Sequence, residues 1–272
     1  MVIGGVGGSG TRLVTRLLQA LGINFDGSLN DSLDNLWFTL LFVRRTILLK
    51  SDSELAALAW LFNNAMRGGQ AVPETLLPML DEAARHDRGP ALRRDVLQAA
   101  RDSLLGARAP AAEAAAWGWK QPNSQVMVPQ LRRCFPGMKY IYVVRNGLDM
   151  ALSYNQNQLM YFWGDLMLEG DTAPTPANSL RYWVASYRRI LDARAAAPDA
   201  IYILDYDQLC REPLPALETL ADFLQVAGAD LKGVAAEVIV PATTGRHRAV
   251  QMSQFHPADL QFVRDMGFEV PA

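Results

Sequence analysis

The feature that most constrains the fold is a cluster of five glycines in the seven residues Gly4 to Gly10, in the run Gly4-Gly5-Val6-Gly7-Gly8-Ser9-Gly10-Thr11. A short apolar run, Met1 to Gly4, precedes it. Leu13, Val14, Leu17, Leu18 and Leu21 follow at helical spacing, and Gly22 ends the pattern. The reading is strand, glycine loop, helix. Such a loop exposes backbone N–H groups and aims the positive end of a helix dipole at one spot, which makes a phosphate-type anion site. Ser9 and Thr11 add hydroxyl donors. A tight turn needing glycine explains fewer glycines than are present.

The rest of the chain fits an α/β frame. Lys139 to Val144 is continuous, β-branched and aromatic, as expected of a strand buried on both faces. Ala116 to Lys120 and Ala200 to Leu204 read as further strands. Helices are expected near 124–134, 147–158, 178–196, 213–225 and 257–266, with an acidic, proline-containing loop at 164–177. Residues 33–116 show no strand. Helical patterns there run over 33–49, 53–66, 73–87 and 91–106, and 111–116 reads as a helix end or linker. The expectation is one α/β domain over 1–272, a parallel sheet flanked by helices, with a large helical insertion at 33–116 serving as an acceptor-binding lid.

Composition narrows the function. With 26 basic against 28 acidic residues the chain is not a whole-surface nucleic-acid binder. Half the residues are hydrophobic, enough for a real core. The longest apolar stretch, 36–49, is interrupted by Arg44 and Arg45 and falls short of the ~18 residues of a membrane span. Two distant cysteines, Cys134 and Cys210, give neither a metal spacing nor a disulfide framework. No metal is expected, and the chain reads as cytoplasmic.

The glycine loop alone leaves the ligand open. Gly5-x-Gly7-x-x-Gly10 matches a dinucleotide fingerprint, but that fold needs a second strand near residue 25, where only Ile23-Asn24-Phe25-Asp26 is available. An NAD- or FAD-binding oxidoreductase is thus one alternative. An ATPase loop fails, because Thr11 stands where lysine should follow Gly10. A second anion site follows the strong strand: Arg145-Asn146-Gly147-Leu148-Asp149, with Ser153 four residues on. Arg145 ends the strand, and Asn146 with Asp149 has capping-box spacing. An arginine fork and a serine hydroxyl on one face would hold one phosphate.

Together these segments resemble the sulfotransferases that use PAPS (3′-phosphoadenosine 5′-phosphosulfate), closest in motif style to the bacterial and tyrosylprotein branches. Gly7-Gly8-Ser9-Gly10-Thr11 is similar to that family's 5′-phosphosulfate loop, and Arg145 through Ser153 to its 3′-phosphate motif, with Gly147 in place of proline. Asp205-Tyr206-Asp207-Gln208-Leu209 with Pro213, Trp119-Lys120-Gln121-Pro122 and Thr244-Gly245-Arg246 resemble three further family segments, the last a loop that closes over the nucleotide. The resemblance implies a P-loop-like fold. It implies transfer of the sulfuryl group of PAPS to a hydroxyl or amine of a small-molecule, sugar or peptide acceptor, with release of 3′,5′-ADP. It carries nucleotide contacts onto Gly7, Gly8, Ser9, Gly10, Thr11, Arg12, Arg145, Ser153, Tyr206, Gly245 and Arg246. One departure matters: the family has lysine or arginine where this chain has Gly8. Lys120 is the first candidate to replace that cation, then Arg12 or Arg16; otherwise the protein is a non-catalytic nucleotide-binding module. Candidates for the acceptor's base are Asp31 and Asp34, although Asp31 or Ser32 before an apolar run also reads as a helix cap. Of the histidines, His86 reads as a surface helix residue and His247 adjoins the closing loop. Trp37, Phe38, Tyr154, Tyr161, Phe162 and Trp163 would line an acceptor pocket or pack the core.

Overall fold

The structure, a computed structural model, describes residues 1–106 and 116–271. Its strands are β1 (Val2–Gly5), β2 (Trp119–Lys120), β3 (Tyr140–Val144) and β4 (Ile201–Asp205). They form one parallel sheet in the order β2-β1-β3-β4. The α-helices are α1 (Thr11–Ala20), α2 (Leu36–Phe42), α3 (Asp52–Arg67), α4 (Leu77–Arg85), α5 (Arg94–Leu105), α6 (Val128–Cys134), α7 (Gly147–Ala151), α8 (Gly164–Met167), α9 (Pro176–Ala196), α10 (Tyr206–Arg211), α11 (Pro213–Leu224), α12 (Leu231–Ala236) and α13 (Pro257–Asp265).

Alternation along the strands separates two cores. Val2, Tyr140, Tyr142 and Val144 face one way, into a cluster built from α2–α6, α9 and α13. Ile3, Ile141 and Val143 face the other, against α1, α10 and α11. The helical block therefore shares a hydrophobic cluster with one face of the sheet. At that junction Trp119 of β2 sits among Phe38, Phe62, Trp117 and Phe135, with ring centroids 4.9–5.7 Å away. Parallel pairing brings the carboxyl ends of the strands to one edge. Gly5 pairs with Val143, Val144 with Asp205, and Ile3 with Lys120. Open α/β sheets bind ligands at that edge.

Several expectations need correcting. The helix expected over 147–158 stops at Ala151. Gln156 Nε2 caps the carbonyls of Met150 and Ser153, and Ser153 Oγ accepts from Asn155 N, so side chains offer the backbone partners outside the helix. A π-helical turn, Gln158–Trp163, follows, and the expected loop at 164–177 begins with the short α8. Neither Asp31 nor Ser32 caps α2; Asn35 does, its side chain accepting from Phe38 N. Residue 24 makes one bridge, to Trp117, in place of the second strand that the oxidoreductase alternative requires. His86 is the half-buried C-cap of α4 rather than a surface helix residue. Trp37, Phe38, Trp163, Trp183 and Tyr187 are core, and Tyr154 is fully exposed. The expected linker at 111–116 lies, Ala116 apart, outside the described residues. Among the described residues no helix is long and apolar enough to cross a membrane.

Candidate active site

The glycine loop joins β1 to α1 at the ligand-binding edge. Gly10 caps α1 with φ 96°, a left-handed conformation that favours glycine. A Cβ there would lie 2.0 Å from the Tyr206 ring, so the ring packs on bare backbone. Ser9 N donates to the Val6 carbonyl at 3.0 Å, so this N–H is spent inside the loop. Leu13 N turns back to the Gly10 carbonyl at 3.0 Å, which leaves the N–H groups of Thr11 and Arg12 at the open end of α1. Ser9 Oγ is buried and has no hydrogen-bond partner among the described residues. An orphaned hydroxyl beside a helix N-terminus fits an anionic oxygen, so the residues present fit a phosphate group. Gly8 has φ 91°, and a Cβ there would lie 3.4 Å from Ser153 Oγ. The lysine or arginine of the family motif would be strained at this backbone position. Ser153 thus meets the glycine loop from beyond the end of α7.

Arg145, just past β3, is buried. Nη1 and Nη2 donate to the Thr243 and Thr244 hydroxyls, each at 3.1 Å. Asp149 and Asp207 carboxylates lie 3.6 Å away on two sides, and the Tyr206 ring centroid is 5.8 Å from the guanidinium. Burial raises the Asp207 carboxyl above its ordinary value, against the Asn146 N–H and Arg145. Tyr206 thus lies between the glycine loop and Arg145.

Asp149 does not close the expected capping box; only Asn146 caps α7. Its carboxylate instead accepts from Gly245 N at 2.7 Å, His247 N at 3.0 Å and His247 Nδ1 at 2.7 Å. Arg246 grips the Asp149 carbonyl through Nε at 2.7 Å. Burial pushes the Asp149 carboxyl up, but these bonds outweigh it and hold it below its ordinary value. The sequence reading placed Asp149 only in a cap and quoted Asp207 only within a family-like segment, without its place beside Arg145. The signal for the first was a second role for a residue placed in a cap.

Lys120 and Asp34, expected in separate roles, meet. Lys120 Nζ donates to Asp34 Oδ1 at 2.5 Å and to the Ser32 carbonyl at 2.7 Å. Burial lowers the Lys120 ammonium from its ordinary value, opposed by Asp34. Arg12 also engages this turn, donating to Ser32 Oγ at 2.8 Å. Leu33, between the two anchor points, has φ 64°, a strained setting for a side-chain-bearing residue. Asp31 is exposed on the same turn. Asp34 lines a cavity of about 110 Å³ together with Gly7, Thr39, Gln121, Asn155 and Phe162, so it is the carboxylate of the two that faces the glycine loop.

The family model described as "Sulfotransferase family" matches residues 1–230. The chain belongs to the sulfotransferase family. The sulfotransferase domain from the Synechococcus PCC 7002 olefin synthase shares the fold, at a TM-score of 0.53 and 18% identity over 100% of this chain and 95% of that one. The sulfotransferase domain from the curacin biosynthetic pathway aligns at 0.49 and 13% identity over 100% and 98% of the two chains. A sulfotransferase from Mycobacterium avium aligns at 0.48 and 12% over 100% and 77%. No curated protein matches the chain.

Proposed function

We propose that this sulfotransferase uses PAPS as donor and carries the sulfuryl group to a hydroxyl acceptor held under the helical block at 33–106. The observation that carries this reading is the buried, unpartnered Ser9 Oγ in a glycine cradle at the helix N-terminus, one tyrosine ring from the Arg145 fork. PAPS, when bound, supplies a sulfuryl group on a phosphate leaving group. The N-terminus of α1 and Ser9 would hold that phosphate and stabilise the charge that grows as the sulfur–oxygen bond breaks. Arg145, by exchanging its threonine partners, would hold the 3′-phosphate, with Ser153 at the loop side. Asp34 would take the acceptor's proton as its oxygen bonds to sulfur, and Lys120 would position Asp34.

The test is calorimetric titration with 3′,5′-ADP, 5′-AMP and NAD side by side. The expected result is tight binding of 3′,5′-ADP, with 5′-AMP weaker by at least about tenfold, the effect of one charge-assisted contact. NAD binding, or indifference to the 3′-phosphate, would sink the donor assignment.

A second reading, nucleotide binding without transfer, is favoured by one observation: Lys120 is engaged by Asp34 and the Ser32 carbonyl, and no cation stands at Gly8. Lys120→Ala decides. If the chain transfers sulfate, the variant should lose it by about 100-fold or more while 3′,5′-ADP affinity stays within about threefold. Equal transfer by parent and variant would leave Lys120 without a role.

A further inference from the structure

Two arginines of the helical block are buried away from the glycine loop. Arg44, between α2 and the following 3₁₀ turn, is 2% exposed, and Arg88, after α4, is 4% exposed. Arg44 Nε, Nη1 and Nη2 are all buried and have no hydrogen-bond partner among the described residues. Arg88 Nη2 donates to the carbonyls of Leu40 and Ala83, at 2.7 and 3.0 Å, while its Nε and Nη1 are likewise unpartnered. The carboxylates felt at Arg44, Glu54 and Glu82, are turned to Lys50, 2.9 and 3.5 Å away. Buried guanidiniums are nearly always paired, because desolvating the charge costs more than packing returns. Among the described residues neither guanidinium has a carboxylate within ion-pair distance, which leaves an unmet demand for an oxyanion.

Both arginines line one cavity of about 460 Å³, with His86, Asp87, Tyr161 and Phe162 on its wall. The Asp87 carboxylate accepts from Gly89 N at 2.9 Å. Thr46 Oγ1, another buried and unpartnered donor, borders the same cavity. Burial and the two guanidiniums together lower the His86 imidazole from its ordinary value, in keeping with a positive interior. Phe162 also lines the smaller cavity that holds Asp34 and Gly7. Val43 faces that cavity and the adjacent Arg44 faces this one. The two spaces are therefore back to back, divided by Phe162 and the chain at 43–44.

We propose that the Arg44–Arg88 cavity binds a forked oxyanion, a carboxylate or phosphate, carried by the acceptor, whose hydroxyl then reaches past Phe162 to the glycine loop. The anion site stands on the arginines alone; its assignment to the acceptor rests on the transfer reading above. Arg44 gives the group two or more parallel N–H donors, Arg88 and Thr46 add others, and the aromatic wall takes the apolar body. A neutral acceptor of the same shape would leave the guanidiniums unpaired and be rejected.

The experiment compares thermal unfolding of the parent with 4-hydroxyphenylacetate, its neutral isostere 4-hydroxyphenylacetamide, and inorganic phosphate, each against Arg44→Met and Arg44→Lys. The carboxylate probe should raise the parent's Tm and the amide should not, with affinities at least about tenfold apart. Arg44→Met should unfold cooperatively at or above the parent's Tm without ligand, having lost an unpaired buried charge, and should lose the carboxylate response. Arg44→Lys should keep part of it. Equal responses to carboxylate and amide would overturn the proposal. So would an Arg44→Met variant that keeps the parent's response, or one that melts far below the parent, which would make the arginine structural. An Arg44-dependent response to phosphate without one to the carboxylate probe would overturn the acceptor assignment. If 3′,5′-ADP fails to bind while the Arg44-dependent carboxylate response holds, the transfer reading falls and the anion site stands.

Discussion

Gly10→Ala should abolish 3′,5′-ADP binding and destabilise the chain by about 2–5 kcal/mol, the sum of a left-handed backbone and an overpacked contact. The φ of 96° accounts for the first part. The second comes from Tyr206, whose ring carbons stand 2.0 and 2.2 Å from where the new Cβ would go. Either the ring moves, and the floor under Arg145 moves with it, or the start of α1 moves and the glycine loop moves with it. Gly22→Ala separates strain from collision. Gly22 ends the turn after α1 at φ 85° with nothing within 4 Å of its Cβ position. That variant should cost only about 1–2 kcal/mol and leave ligand binding intact. Urea unfolding and calorimetry check both. A Gly10→Ala chain as stable as Gly22→Ala, with parent-like nucleotide affinity, would mean that Tyr206 does not constrain the loop.

Asp149→Ala should cost about 3–5 kcal/mol, the range for removing one partner of a buried ion pair. It strips the acceptor from two backbone N–H groups and His247 Nδ1 at once, and leaves Arg145 with one carboxylate fewer. The loss should concentrate in residues 243–249, so amide exchange at Gly245 and His247 should accelerate before global unfolding. The acid limb follows from the same bonds. The folded carboxyl is held below its ordinary value of 3.8, so the folded chain binds fewer protons there than the unfolded one. Its stabilising contribution is complete above the unfolded-state value and is lost as pH falls through the folded one. Asp149→Asn should flatten that limb. An unchanged acid profile in this variant would show that the loop is tied elsewhere.

Much of this was legible in the residues. The glycine cluster, the Lys139–Val144 run and the Arg145 pattern each declare themselves through local chemistry, and the strand-loop-helix and the buried sheet follow. What was not legible depends on contacts across long separations. Asp149 has a capping-box spacing, yet its partners lie 96 and 98 residues away. Lys120 and Asp34 read as two roles and form one pair, because β2 runs alongside β1 and its carboxyl end abuts the turn at 30–34. The end of α7 was misjudged because Gln156 competes for its carbonyls, which helical periodicity does not register. Arg44 appeared only as an interruption of an apolar run; that it is buried with no hydrogen-bond partner among the described residues is a property of packing.

The tie between Asp149 and the 243–249 loop also bears on modularity. The match to the family model ends at residue 230, yet Thr243, Thr244, Gly245 and His247 complete the surroundings of Arg145 and Asp149. The boundary drawn by the family model is thus shorter than the unit that is bonded together. A chain trimmed to that boundary would keep every strand and the glycine loop, but open the Arg145 fork to water. Recombining this chain with others would need the tail carried along with the segment it is bonded to, rather than treated as an interchangeable spacer.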